Sequence, residues 1–203
     1  MMSRFLKIAE DVDVAPLIAQ IDACPELWGQ FGWRKNIPDG PHAGMTDIWV
    51  RYNDSRPFEA RGDFKGFNDE HESVWYPAYY ALPAMREIIF PLMAAVEGER
   101  LGGVLITRIP PGCGIAPHRD AGWHVDHYDK FYVQLKSRPG AVFCCEGEVN
   151  RPVPGDVYRF DNRVLHWVKN ESDGDRMTLI VCIRTSKYRE DRHVFDARDT
   201  AAA

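Results

Sequence analysis

The spacing of apolar residues changes near the middle of this chain. Before Glu97 it is helical: Leu17, Ile18 and Ile21 form one stripe, and Met85, Ile88, Ile89, Leu92, Met93 and Val96 form a second at three- and four-residue steps. The first predicts a short helix with Asp13 as its N-cap, ending before Pro25. The second predicts an amphipathic helix over 83–97, kinked at Pro91 and closed by Gly98. Between them, 28–44 is rich in Gly and Pro and reads as loop, while 47–52 (DIWVRY) has strand composition. Residues 53–72 read as irregular and charged, a connection long enough to be a lid, a binding loop or a plain insertion.

Beyond Gly98 the runs become short, β-branched and aromatic. Strands are expected at 104–109, 130–135, 141–145, 156–160, 164–168 and 177–183, separated by turn signals such as Arg138-Pro139-Gly140 and Pro154-Gly155-Asp156. Helices followed by many short strands point to a mainly β fold: N-terminal helices laid against an antiparallel double-stranded β-helix, a jelly-roll, cupin-like barrel. A chain of 203 residues fits one domain. Within it, 1–100 would be helical and loop-rich, 101–186 the jelly-roll core carrying the site, and 187–203 a C-terminal tail.

Composition narrows the setting. The chain is 45% hydrophobic and 27% charged, with a net charge of -5 and a pI near 5.8, which argues against a nucleic-acid backbone as the main partner. Five cysteines form no CxxC and no paired framework, so a reduced, cytoplasmic setting is the simpler expectation. Adjacent Cys144 and Cys145 on a strand would point one to the core and one outward. The N-terminal stretch turns acidic before any apolar run could act as a signal peptide. No run reaches the roughly 18 apolar residues of a membrane span.

The chemistry concentrates in PPGCGIAPHRD, 110–120, and in a later stretch holding His166 and Arg176. His118 and Asp120 are two apart, so on a strand both side chains leave one face, where an imidazole and a carboxylate can share a metal. His166 can supply a third ligand from another strand. Two imidazoles and a carboxylate that leave open positions are the ligand set of non-haem Fe(II) oxygenases. A second HxD, His124-Val125-Asp126, lies in AGWHVDHYD, which reads as a loop. The first motif is preferred because it follows a Pro/Gly turn into a strand. Arg176, ten residues after His166 at the start of an apolar run, could clamp a carboxylate through two hydrogen bonds.

PPGCGIAPHRD and YRFDNRVLHWVKNESDGDRMTLIV resemble the aspartyl/asparaginyl β-hydroxylase family of Fe(II)- and 2-oxoglutarate-dependent oxygenases. The resemblance covers about 101–184, and PHAGMTDIWVRY near Pro41 is a weaker echo. It implies Fe(II) held by His118 and His166, with Asp120 completing a triad that some of the family lack. It also implies 2-oxoglutarate as cosubstrate with O2, its distal carboxylate on Arg176. Lys130 and Tyr132 stand where the family usually has arginine and histidine near the other end of 2-oxoglutarate. The implied reaction is hydroxylation of a C–H bond of an amino acid or a peptidyl Asp/Asn-type substrate, releasing succinate and CO2.

Arg119, Trp123, His124 and His127 are candidates for the mouth of the site, and Arg51, Arg61 or Arg108 for a substrate carboxylate. Two other classes compete: a cupin-like metal barrel with non-oxidative chemistry, and a non-catalytic binding module. Arg176 argues against the first, since a carboxylate clamp beside a metal has little purpose without a keto-acid cosubstrate.

Overall fold

In the computed structural model, which describes residues 3–186, strands pair antiparallel into two sheets. The expected 187–203 tail lies outside the described residues. In chain order the elements are β1 (Phe5–Ala9), α1 (Ala15–Ala23), β2 (Thr46–Tyr52), α2 (Arg56–Arg61), β3 (Val74–Trp75), α3 (Ala78–Ala81) and α4 (Arg86–Ala95). They continue with β4 (Gly98–Ile109), β5 (Gly114–His118), α5 (Trp123–His127), β6 (Asp129–Lys136) and β7 (Ala141–Cys145). The last are β8 (Glu148–Asn150), β9 (Val157–Phe160), β10 (His166–Asn170) and β11 (Arg176–Thr185). One sheet runs β1-β9-β6-β11-β4-β2-β3, the other β5-β10-β7-β8. This is the expected mainly β jelly roll, and its larger sheet also recruits β1, β2 and β3 from the first hundred residues.

Strict alternation on the central strands sorts side chains into two cores. Phe131, Val133 and Leu135 of β6, with Met177, Leu179, Val181 and Ile183 of β11, pack beneath Leu17 and Ile21 of α1 and Ile88, Ile89 and Leu92 of α4. The residues between them face the smaller sheet. There Tyr132, Tyr158, Phe160, Ile180 and Cys182 meet Phe143, Cys145 and Val168. Burial of each large apolar side chain contributes about 1.5–3 kcal/mol.

Several local expectations are corrected. The second helix is built as a 3-10 turn, Pro83–Met85, followed by α4, which runs through Pro91. Gly98 already belongs to β4, and the left-handed residue at the junction is Glu97 (φ 55°). Asp13 does not occupy the N-cap of α1, which is Val14, yet its Oδ1 accepts from the Ala15 amide at 3.1 Å. Residues 53–72 are not wholly irregular: they hold α2, and Phe58, Phe64 and Phe67 from this stretch pack with Trp33, Trp49 and Tyr76 in a third apolar cluster. Cys144 and Cys145 are both buried. The segment around His124 is the five-residue helix α5 instead of a loop.

A buried ion pair ties three strands of the larger sheet together. Arg159 Nε and Nη2 lie 3.1 and 3.0 Å from Asp129 Oδ1, and the Thr185 hydroxyl donates to Asp129 Oδ2 at 2.8 Å. Arg159→Met removes the guanidinium from a buried carboxylate and is expected to lower unfolding free energy by about 3–5 kcal/mol. Urea denaturation measures this; a loss below about 1 kcal/mol would place the pair with exposed salt bridges instead.

Candidate metal centre and adjoining cavity

The Pro/Gly stretch folds as its residues dictate. Gly112 takes φ +74°, and its amide donates to Asn170 O at 2.8 Å. Gly114 lies so close to β10 that a Cβ there would meet Val168 O at 2.4 Å, so β5 requires glycine at its first position. After an irregularity between Val168 and His166, the pairing of β5 with β10 puts His118 directly opposite His166. The two rings are 4.2 Å apart between centroids.

Asp120 joins them by a route that differs from the expected one. β5 ends at His118, so Asp120 is not a strand residue. The Asp120 amide donates to Asn162 O at 2.9 Å, which turns the carboxylate back toward the imidazoles. Asp120 Oδ1 lies 3.4 Å from His118 Nε2. One potential ligand atom from each of His118, Asp120 and His166 falls within 4.8 Å of the other two.

The tautomers suit a metal. His118 Nδ1–H donates to Ala116 O at 2.8 Å and His166 Nδ1–H to Val164 O at 2.9 Å. Each ring thereby leaves its Nε2 lone pair for a ligand, and a backbone carbonyl fixes its orientation. Burial lowers the pKa of His166 to about 4, so its ring is neutral at pH 7. Burial opposes the charge on Asp120, but the Lys130 ammonium, with smaller help from His118, His166 and Asn162, outweighs it and holds the pKa well below the usual carboxylate range. The donor set is two imidazoles and one carboxylate, which fits a divalent first-row metal such as Fe(II).

Arg176 opens β11 and is buried between the sheets, with Nη2 donating to the Tyr158 hydroxyl at 3.1 Å and the guanidinium 5.9 Å from the centre of the Phe143 ring. Its Nε is buried without a hydrogen-bond partner. A buried guanidinium with an unused donor is suited to receive an anion. Tyr132 faces the same inter-sheet space and stacks on Tyr158 with ring centres 5.5 Å apart; burial raises the pKa of both. Lys130, expected beside it, instead donates to Asp120 Oδ2 at 2.5 Å.

A cavity of about 150 Å³ opens beside Asp120 and Lys130. Of the candidates for its mouth, His124 lines it, whereas Arg119, Trp123 and His127 do not. Arg119 is exposed and reaches Arg163 O at 3.3 Å. Trp123 stacks on His127, whose Nε2 lies 3.3 Å from Arg184 Nη1. Arg51, Arg61 and Arg108 lie over the rings of Trp75, Phe58 and Trp28, and none of them lines the cavity.

Besides Lys130 the cavity is lined by a second cation, Arg34, which sequence reading passed over; its Nη1 lies 3.1 Å from the buried Asp47 Oδ2. Trp33, Ile37, His42, Tyr52 and Asn68 also line it and were likewise missed. His42 and Tyr52 fall within the weak PHAGMTDIWVRY echo, the one signal that could have found them; Trp33 and Arg34 sit in a loop without periodicity.

The fold resembles solved Fe(II)/2-oxoglutarate oxygenases. An oxidoreductase of the 2OG-Fe(II) oxygenase family from Burkholderia pseudomallei aligns with a TM-score of 0.51 at 17% identity, over 85% of this chain and 82% of that one. The viral collagen prolyl hydroxylase of Paramecium Bursaria Chlorella virus-1, solved with 2OG, gives 0.50 at 13% identity over 91% and 97%. No curated protein matches the chain by sequence. The barrel therefore shares the fold of these two proteins. The family described as Aspartyl/Asparaginyl beta-hydroxylase matches residues 70–185, more than half of the chain, and the chain belongs to that family of hydroxylases.

Asn170 braces the turn that delivers Arg176. Its Nδ2 donates to Ile109 O and Gly174 O, both at 2.8 Å, and its Oδ1 accepts from the Ser172 hydroxyl at 2.6 Å. Asn170→Ala removes the amide donors to Ile109 O and Gly174 O and the acceptor of the Ser172 hydroxyl, and is expected to cost about 1–3 kcal/mol of stability. Thermal or urea unfolding gives the value, and an unchanged midpoint would show that water replaces the amide.

Proposed function

We propose that the chain uses His118, Asp120 and His166 to hold Fe(II) and Arg176 to hold the distal carboxylate of 2-oxoglutarate. The observation that carries this reading is the convergence of three ligand atoms whose two imidazoles are pinned through Nδ1. When bound, the iron supplies the coupled chemistry in which 2-oxoglutarate and O2 yield succinate and CO2 as a substrate C–H becomes C–OH.

The protein's part is binding, orientation and exclusion of water. Arg176 meets the cosubstrate through a donor that has no partner inside the protein, and the Tyr158 hydroxyl steadies its other arm. Tyr132, stacked on Tyr158, walls the same space. The aromatic rings of Phe143 and Phe160 beside His166 keep bulk water from the inner side.

The substrate enters by the cavity beside Asp120. Its volume of about 150 Å³ suits one small side chain or a compact metabolite. Arg34 brings a positive charge to it, and His124, its pKa lowered to about 3 by burial, brings a neutral ring. These groups favour a small substrate carrying a carboxylate or carboxamide: a free amino acid, or an Asp/Asn-type residue of a short peptide.

The test is succinate release by iron-reconstituted protein supplied with 2-oxoglutarate and a panel of amino acids and Asp- or Asn-containing peptides. Substrate-stimulated turnover is expected, and His118→Ala or His166→Ala should abolish it; a fully active double variant sinks the assignment. Arg176→Met should raise the Kd for 2-oxoglutarate by about 10–100-fold, as expected for loss of a charge-assisted, bidentate contact of about 1.5–3 kcal/mol. The metal affinity of that variant should stay unchanged, as isothermal titration can show.

A further inference from the structure

The carboxylate of Asp120 is divided between two tasks. Oδ2 receives the Lys130 ammonium at 2.5 Å and the Asn162 amide at 2.7 Å. Oδ1 is turned toward the histidines, 3.4 Å from His118 Nε2. The two donors come from separate elements: Lys130 from β6, Asn162 from the segment between β9 and β10. Asn162 is itself buried, and its carbonyl accepts the Asp120 amide at 2.9 Å, so one residue holds both backbone and side chain of Asp120.

We infer that Lys130 and Asn162 are positioning residues that occupy Asp120 Oδ2 and so present Oδ1 alone to the metal. This inference rests on the reading of His118, Asp120 and His166 as a metal site. It moves Lys130 from the cosubstrate, where the family resemblance puts it, to the metal's carboxylate. The physical reason is that Asp120 lies beyond the end of β5 and lacks the ladder that orients His118. A carboxylate with both oxygens available can rotate and chelate through both, taking a coordination position that the reaction needs open. Two donors on one oxygen remove that option, and outer partners of this kind typically set metal affinity by 10–100-fold.

Co(II) serves as the probe, because its visible absorption reports coordination number and geometry. Wild type, K130M, K130R, N162A and the H118A/H166A double variant would be titrated with Co(II). Binding of 2-oxoglutarate to each Co(II)-loaded protein would then be followed by calorimetry. N162A and K130M are expected to bind Co(II) about 10–100-fold more weakly and with altered band intensity. K130R, which keeps the cation, should return both readouts toward wild type. N162A carries no change of charge, so its effect separates positioning from electrostatics, and it keeps the test open should K130M fail to fold.

Wild-type Co(II) affinity and spectrum in both K130M and N162A, with weakened 2-oxoglutarate binding in K130M, would overturn the inference and return Lys130 to the cosubstrate. Tighter Co(II) binding by K130M with N162A unchanged would also overturn it, leaving only charge repulsion. Equal Co(II) binding by wild type and H118A/H166A would instead overturn the metal-site reading, and this inference with it.

Discussion

The central strands β6 and β11 are buried on both faces, and the two faces have different work. The odd-numbered residues of each, Phe131, Val133 and Leu135 with Met177, Leu179, Val181 and Ile183, are committed to the helices. The even-numbered ones, Lys130, Tyr132 and Gln134 with Arg176, Thr178, Ile180 and Cys182, face the second sheet. A slip of one residue would drive a lysine, a glutamine and an arginine into the helix-packed core, at several kcal/mol for each unpaired polar group. The register of this sheet is therefore strongly specified. The position of every inward polar group, including those beside the metal site, follows from it.

Polar groups on the inward face are tolerated because each has somewhere to send its hydrogen bonds. Gln134, fully buried, donates to Lys136 O and Met177 O. Lys130 gives its charge to Asp120. The Arg176 guanidinium, by contrast, leaves its buried Nε unused beside Tyr158. A buried guanidinium donor without a protein partner is suited to an anion. The same logic applies to the imidazoles. Their Nδ1 atoms are spent on the backbone, and burial withholds a proton from His166, which leaves the Nε2 atoms on the side shared with Asp120.

What was legible in the sequence was carried by period and by residue type. The helical stripes, the strand-rich second half and the jelly-roll class follow from spacing alone, since a two-residue period cannot be confused with a 3.6-residue one over a long run. β1 was missed because Leu6 and Lys7 are both exposed and blur the alternation of FLKIA; β8 and β3 are too short to show one. His118, Asp120, His166 and Arg176 stood out because few other uses explain such residues at such spacings, and the structure brings the first three together. The same-face argument for His118 and Asp120 reached the observed cluster from the wrong local geometry, since the strand stops at His118 and a backbone bond to Asn162 does the turning. Asn162, Arg34 and His42 lie in aperiodic segments whose contacts are made only in the folded chain, and no periodicity announces them.

The cavity beside the metal site has walls of two origins. Asp120, His124, Val125, Lys130, Ile180 and Cys182 come from the family-matched region, whereas Trp33, Arg34, Ile37, His42, Tyr52 and Asn68 all precede residue 70. The candidate metal ligands thus lie within the family-matched region, and much of the cavity wall lies outside it, an arrangement in which loops on a rigid scaffold can differ without disturbing the ligands. Arg34 shows how such a segment is made rigid. The buried Asp47 carboxylate on β2 fixes one arm of the guanidinium, and although burial raises the pKa of Asp47, the nearby Arg34 charge opposes that rise. A cation anchored from behind would lose little freedom on meeting an anion, so little of the binding energy would be consumed in ordering a flexible side chain.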